Sequence, residues 1–205
     1  MDIYFIRHGE TDYNKGKRLQ GVADIPLNDR GIELAEKTAE GLKDVPFDRI
    51  YTSPLIRARK TAEIIRGERK IEIIPTEGLR EISFGDYEGL TILKDRYNIP
   101  DPDFLDFFHA PQRYRTPPNG ESIEHLRNRT TAFIRGIMND PENEGKTFLM
   151  SSHGAAIRGL LSGLQKLPIA QFWDKGVHKN CAVTLLHAEH GEFRIVFENR
   201  VYYET

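Results

Sequence analysis

The stretch Ile3-Tyr4-Phe5-Ile6-Arg7-His8-Gly9-Glu10 sets four apolar residues directly in front of an arginine and a histidine. Four such residues between Asp2 and a polar tripeptide read as a short strand buried on both faces, the kind that a parallel sheet requires. A guanidinium and an imidazole held at the carboxyl end of such a strand form an anion site that already contains a nucleophile. Neutral imidazole can attack phosphorus near neutral pH while a guanidinium neutralises the phosphate oxygens.

Working outward, further β-rich runs at 48–52, 71–75, 146–151, 181–187 and 192–198 join the first at 2–7. They alternate with helical spacings over 31–43, 54–66, 121–139 and 154–164. This alternation predicts an α/β fold, a three-layer sandwich whose central sheet of about six strands is mostly parallel. Pro54 behind Ser53 marks the expected start of the second helix. Glu189-His190-Gly191 is a hairpin signal, so the last two strands should form an antiparallel edge. A chain of 205 residues suits one core, and 1–205 is read as a single domain. Residues 90–119, rich in Asp, Pro and aromatics, follow no regular period. They are expected to form a partly helical lid or specificity insertion over the mouth of the sheet, with Phe104, Phe107, Phe108, Arg113, Tyr114 and Arg115 at the pocket rim.

The bulk properties exclude several classes. A formal charge of −2 offers no basic field for nucleic acid, so any anion site must be local. No apolar stretch approaches the roughly 20 residues of a membrane span. No basic region with an apolar leader core precedes Arg7, and a cytoplasmic location is the expectation. The single cysteine, Cys181, excludes an internal disulfide and a Cys-rich zinc site, and its apolar surroundings suggest a buried, inert thiol.

In open α/β sheets, ligands sit beyond the carboxyl ends of strands, where helix N-termini face outward. His8 follows the first strand, Ser53 to Arg57 the second and Ser151 to Gly154 the fourth, so these polar residues converge on one edge. Arg7 and Arg57 are the candidate phosphate clamp, and His153 at the start of a helix can donate to the same oxygens. For His8 to attack through one ring nitrogen, the other must hold its proton against an acceptor such as a backbone carbonyl, and Gly9 leaves room for that approach. Arg59, Glu77 and Glu88 are expected to be solvated, and Glu121 to sit at a helix N-terminus. Two histidines without a convergent carboxylate fall short of a catalytic zinc set, so neither metal nor cofactor is expected.

The flanking sequence extends the pattern: Arg7-His8-Gly9-Glu10-Thr11-Asp12-Tyr13-Asn14, Leu19-Gln20-Gly21, Ser53-Pro54-Leu55-Ile56-Arg57-Ala58, Glu81 with Phe84-Gly85 and Glu88-Gly89, Gly120-Glu121-Ser122, and Ser151-Ser152-His153-Gly154. In content and order this resembles the histidine phosphatase superfamily, the phosphoglycerate-mutase-like proteins. The resemblance implies a metal-independent phosphatase that hydrolyses small phosphorylated metabolites through a phosphohistidine on His8. It further implies that Glu81 protonates the leaving oxygen and then activates water, and that Asn14, Gln20 and Gly21 line the pocket. As polar turn and loop residues, these last three have an equally good structural explanation. Two other functions remain open. One is a mutase, although mutases of this family usually follow the acid glutamate with Arg-His-Tyr-Gly, where this chain has Ile82-Ser83-Phe84-Gly85. The other is a non-catalytic phosphate-binding module, which would require a missing chemical group, yet Arg7, His8, Arg57, Glu81 and His153 are all present. Neither the particular substrate nor the oligomeric state is legible.

Overall fold

The structure, a computed structural model, describes residues 1–204. The opening apolar run forms β1 (Asp2–Arg7), and its side chains alternate between two cores, as the period of a strand requires. Ile3 and Phe5 face one layer with Ile134, Ile157 and Leu160, and Ile6 faces the other with Leu34, Ala62 and Ile65. The same alternation continues in β2 (Arg49–Thr52), β3 (Ile73–Pro75) and β4 (Thr147–Ser152). Ile50 and Leu149 share the layer of Ile6, and Tyr51, Phe148 and Met150 share that of Phe5.

Two helices cover each face. α1 (Asp12–Lys15) is a single turn after β1, and α2 (Asp29–Gly41) and α3 (Ile56–Arg66) bury their apolar stripes on the Ile6 side. Past the short α4 (Asp106–His109), α5 (Ile123–Met138) and α6 (Gly154–Leu164) pack on the other side. α6 is buried along almost its whole length because α5 lies over it, with Leu126 and Thr130 reaching within 3.3 Å of the Cβ that Gly159 lacks.

The sheet runs β3-β2-β4-β1-β5-β6, where β5 is Val183–Glu189 and β6 is Glu192–Arg200. The first four strands pair parallel, and the β5-β6 edge is antiparallel, as expected. The hairpin loop is His190 and Gly191, with φ of 51° and 79°, the left-handed pair that a two-residue type I′ turn demands. β5 is also antiparallel to β1, so the entrance of β5 lies beside the exit of β1.

Several local expectations are corrected. α3 begins at Ile56, not Pro54; Leu55 occupies the cap position without a side-chain bond, and Asp24 Oδ1 instead accepts from Ile56 N at 2.7 Å. The fifth strand starts at Val183, because Cys181 adopts φ 55° and turns its N–H to the Arg7 carbonyl at 2.9 Å. Burial of the Cys181 thiol is complete and pushes its pKa up to about 12. Glu121 precedes the cap residue Ser122 and instead accepts from Arg129 Nε at 2.7 Å. Residues 90–119 contain only α4 and one 3-10 turn at Pro111–Arg113. Among the described residues, no helix is long and apolar enough to cross a membrane.

Candidate active site

A cavity of about 350 Å³ opens at the carboxyl ends of β1 and β4. Arg7, His8, Asn14, Gln20 and Glu81 line it. Arg57, His153 and Gly21 stand behind that lining, in contact with it but not on its surface.

The backbone leaving β1 continues one residue past the strand, with His8 N donating to the Ser152 carbonyl at 2.9 Å. This fixes the imidazole at the sheet edge, with only 3% of its surface exposed. Its Nδ1 lies 2.7 Å from the Gly9 carbonyl oxygen, which can only accept, so Nδ1 carries the ring proton. Arg57 Nε–H donates to the other nitrogen, Nε2, at 3.2 Å. The unprotonated, nucleophilic nitrogen is therefore Nε2. Burial, followed by the charges of Arg57 and Arg7, pushes the His8 pKa well below its ordinary value and keeps the ring neutral.

Gly9 supplies the carbonyl that holds the His8 Nδ1 proton, and its missing side chain serves a second purpose. A Cβ there would meet the Gly31 carbonyl oxygen at 2.4 Å, and a Cβ on Gly31 would meet the Glu10 oxygen at 2.1 Å. The two glycines let the start of α2 dock against the loop after β1. Gly9 N also donates to Thr61 Oγ1 at 3.1 Å, tying that loop to α3.

Arg57, in the first turn of α3, is fully buried. Beyond His8 it donates to the carbonyls of Ala23, Gln20 and Gly21 at 2.7, 3.1 and 2.7 Å. It thus braces the 20–23 loop and the imidazole, contacts that the expected role of phosphate clamp did not include. Gly21 belongs to the same brace, since a Cβ there would strike the Ile82 carbonyl at 2.2 Å. Glu88, expected to be solvated, closes the loop from below: its carboxylate accepts from Val22 N, Ala23 N and Phe84 N at 2.9, 3.1 and 2.8 Å. Arg59 is exposed as expected, and so is the Glu77 carboxylate, although it pairs with Arg80 at 3.1 Å.

Glu81 follows the turn after β3, and its carboxylate faces the N-terminus of α6. Oε1 accepts from Ile82 N at 2.9 Å and Ala156 N at 2.8 Å, while Oε2 accepts only from Ala155 N at 3.1 Å. Burial raises the pKa, and the three backbone donors and Arg57 only partly oppose it. Oε2, with the fewer donors, is the oxygen with a lone pair available for a proton.

His153 is fully buried, its ring centroid 5.0 Å from that of His8. It occupies the cap position of α6 without a capping side-chain bond. Its Nε2 lies 2.7 Å from Ser53 Oγ, which already accepts from Leu55 N at 3.3 Å. The hydroxyl proton of Ser53 can go to Nε2, and in that arrangement the proton of His153 is on Nδ1. That Nδ1 has no partner among the described residues.

The opposite wall is apolar. Phe84, Ile92, Phe107, Phe108, Trp173 and Val177 line it. Of the rim residues expected from 90–119, only Phe107 and Phe108 reach the cavity, joined by Ile92. Phe104 and Tyr114 are in the aromatic cluster behind it, Arg113 pairs with Asp106 at 2.9 Å, and Arg115 pairs with Asp103 at 2.7 Å. Sequence reading also missed Trp173, Thr11 and Asn180. Trp173, the only tryptophan of the chain, was signalled by that fact alone. Asn180 reaches the site because β5 runs antiparallel to β1, an arrangement that the search for strand carboxyl ends does not consider. Among the described residues, no group of three or more His, Cys, Asp or Glu side chains is placed to hold a metal.

Two cations, a neutral imidazole and a carboxyl of raised pKa around one cavity define a site for phosphate-ester chemistry. The model of the histidine phosphatase superfamily, branch 1, matches residues 3–200. The chain belongs to that superfamily, and with relatives named as phosphatases it is a phosphoric monoester hydrolase. It is 36% identical to the uncharacterized phosphatase PhoE of Bacillus subtilis over 160 residues, covering 78% of this chain and 75% of that one. The solved structure of Bacillus stearothermophilus YhfR superposes with a TM-score of 0.89 at 35% identity, covering 98% and 97% of the two chains. An Entamoeba histolytica phosphoserine phosphatase mutant, solved in complex with phosphoserine, gives 0.81 at 31% identity over 97% and 96%. Other relatives carry phosphoglycerate-mutase-like names.

Proposed function

We propose that the protein hydrolyses small-molecule phosphomonoesters without a metal, through a phosphohistidine on His8. One observation supports this reading: the Nδ1–H···O=C bond to Gly9 and the Arg57 Nε–H together make Nε2 the unprotonated nitrogen, whose lone pair Arg57 holds until a phosphate takes its place, beside a cavity that Arg7 also lines. In the first step Nε2 forms a bond to phosphorus as the ester P–O bond breaks, and Glu81 gives its proton to the departing oxygen. In the second, water attacks phosphorus, the P–N bond breaks and Glu81 takes the proton of the water. Arg7, Arg57 and His153 Nδ1–H stabilise the charge on the non-bridging oxygens, and Asn14 and Gln20 add amide donors. The whole chain acts as one domain, with residues 90–119 supplying specificity through the aromatic wall.

Labelled substrate, quenched in alkali where phosphoramidates persist, should leave acid-labile label on His8. His8→Ala should lose label and at least ~10⁴-fold in turnover. Activity should persist in excess chelator and 3-phosphoglycerate should not be isomerised. Parental turnover in His8→Ala, or a divalent-ion requirement, would defeat the proposal.

A further inference from the structure

A primary amide offers a phosphate two N–H donors or a carbonyl oxygen that repels it, depending on a half-turn about a single bond. Asn14 and Gln20 both line the cavity, so the phosphate reading above, on which this inference rests, needs both amides turned the same way.

Thr11 is fully buried and is the cap residue of α1. Its backbone N–H can only donate, and it lies 3.3 Å from one terminal atom of the Asn14 side chain, which must therefore be Oδ1. Asn180 confirms the assignment from the other side. Its Nδ2 is 3.0 Å from the His8 carbonyl oxygen, which can only accept, and the same Nδ2 is 3.2 Å from Asn14 Oδ1. With two donors on Oδ1, the NH₂ of Asn14 is left for the cavity.

The Thr11 hydroxyl meets the second amide. Its oxygen accepts from Asn14 N at 3.2 Å and its proton goes to Gln20 Oε1 in the orientation that the structure carries. The NH₂ of Gln20 is buried and has no partner among the described residues. One threonine thus contacts the carbonyl oxygen of each amide, and each amide has its donor end unspent.

We propose that Thr11, assisted by Asn180, is a positioning residue of the phosphate site: it holds Asn14 and Gln20 with their N–H groups turned toward the phosphoryl oxygens. A helix cap alone would stabilise α1 whether or not phosphate is bound. A positioning role instead appears as a loss of phosphate affinity that requires the two amides.

The test compares Thr11→Val, Thr11→Ser and Asn180→Ala with the parent, by calorimetric binding of inorganic phosphate and by KM and kcat. Thr11→Val should weaken phosphate binding by about tenfold or more and raise KM, through the loss of the hydroxyl that orients Gln20, while the backbone N–H facing Asn14 remains. Thr11→Ser should recover to within about threefold of the parent, since it keeps the hydroxyl and the backbone N–H. Asn180→Ala, which leaves Thr11 in place, should fall between them and carries the test if Thr11→Val does not fold. In an Asn14→Ala/Gln20→Ala background, Thr11→Val should cost no further phosphate affinity, while the thermal midpoint still drops for the lost cap. Parental phosphate affinity in both Thr11→Val and Asn180→Ala, or the same loss from Thr11→Val with the amides removed, would overturn the positioning role while leaving the phosphatase reading intact. A parent that neither binds phosphate nor hydrolyses esters would overturn both.

Discussion

The cavity has a polar floor and an apolar wall, and they are built by different physics. On the floor, hydrogen bonds of fixed direction place each candidate reacting group: Gly9 and Arg57 aim His8, three backbone N–H groups hold Glu81, and Ser53 holds His153. On the wall, rings make edge contacts. Phe107 meets Phe84, Phe108, Tyr114 and Trp173 with centroids 4.8–5.4 Å apart. Directional bonds fix a reacting atom closely and pre-organise charge, whereas apolar packing tolerates exchange of volume. On the proposed mechanism, chemistry belongs to the floor and choice of substrate to the wall. Substitutions on the floor should slow every ester by large factors, and those on the wall should re-rank esters by small ones.

The sharpest test of the floor is Glu81→Gln, because a general acid matters in proportion to how poor the leaving group is. An alkoxide must be protonated as it departs, whereas a nitrophenolate leaves largely unaided. Single-turnover phosphorylation of His8 by an alkyl phosphate should slow by about 10²–10⁴-fold in Glu81→Gln, and by much less with an aryl phosphate. Steady-state rates do not serve, since in the proposed cycle hydrolysis of the common phosphohistidine also uses Glu81. The substitution sets an NH₂ against the Ala155 N–H, so the thermal midpoint should be read alongside. If alkyl and aryl esters lose the same factor, Glu81 is not the acid. Glu88 is an unsuitable replacement because Val22, Ala23 and Phe84 already claim its carboxylate, which leaves Glu10 as the next candidate.

The same contrast explains what was legible in the sequence. The floor follows from strand placement. A run such as Ile3–Ile6 reads as a buried strand, its carboxyl end then presents Arg7 and His8, and parallel pairing with β4 brings Ser152 and His153 alongside. The wall follows from packing among residues far apart in sequence, Phe84, Phe107 and Trp173, and no local pattern encodes that meeting. Phe104 and Tyr114 looked like rim residues on composition alone, yet their burial in the cluster depends on where the irregular chain turns. Glu88 was misread for the same reason. Its three backbone partners lie in two separate loops, and nothing beside it in sequence announces them. Asn180 stayed hidden until the direction of β5 was known.

Acid should dismantle the floor before the wall. Burial keeps His8 and His153 well below the ordinary histidine pKa, and it puts His178, a buried residue whose carbonyl accepts from Arg7 and whose ring meets Thr184 Oγ1 at 2.9 Å, at about 3. Between those values and the unfolded pKa of about 6.5, the unfolded chain binds more protons than the folded one, so stability must fall as pH falls through that window. Each histidine contributes a slope of at most about 1.4 kcal/mol per pH unit. Glu81 opposes them: its raised pKa means that the folded state binds the extra proton above its ordinary 4.5, which gives one slope of the opposite sign. Three against one leaves a net loss. Denaturant midpoints measured from pH 7.5 to 5 should decline steadily, and a flat profile would show that these imidazoles are not held neutral in the folded protein.

The smallest expected effect separates the two sides of the insertion itself. Phe108 lines the cavity and packs on Phe107 and Trp173, whereas Arg113, in the same segment, faces outward with two-thirds of its side chain exposed and pairs with Asp106. Phe108→Ala removes apolar surface from the wall and touches no polar group on the floor. Esters with an aryl or alkyl portion should lose about tenfold in kcat/KM relative to small polar ones, while inhibition by inorganic phosphate stays unchanged. Arg113→Ala removes a charge that water already screens, so the substrate ranking should not move. The pair of variants must be ranked on the same set of esters. If Phe108→Ala weakens phosphate inhibition as much as ester turnover, floor and wall are mechanically coupled and the division between chemistry and choice fails. If Arg113→Ala re-ranks the esters, the charged outer face of the insertion takes part in selection, and specificity is not confined to the rings.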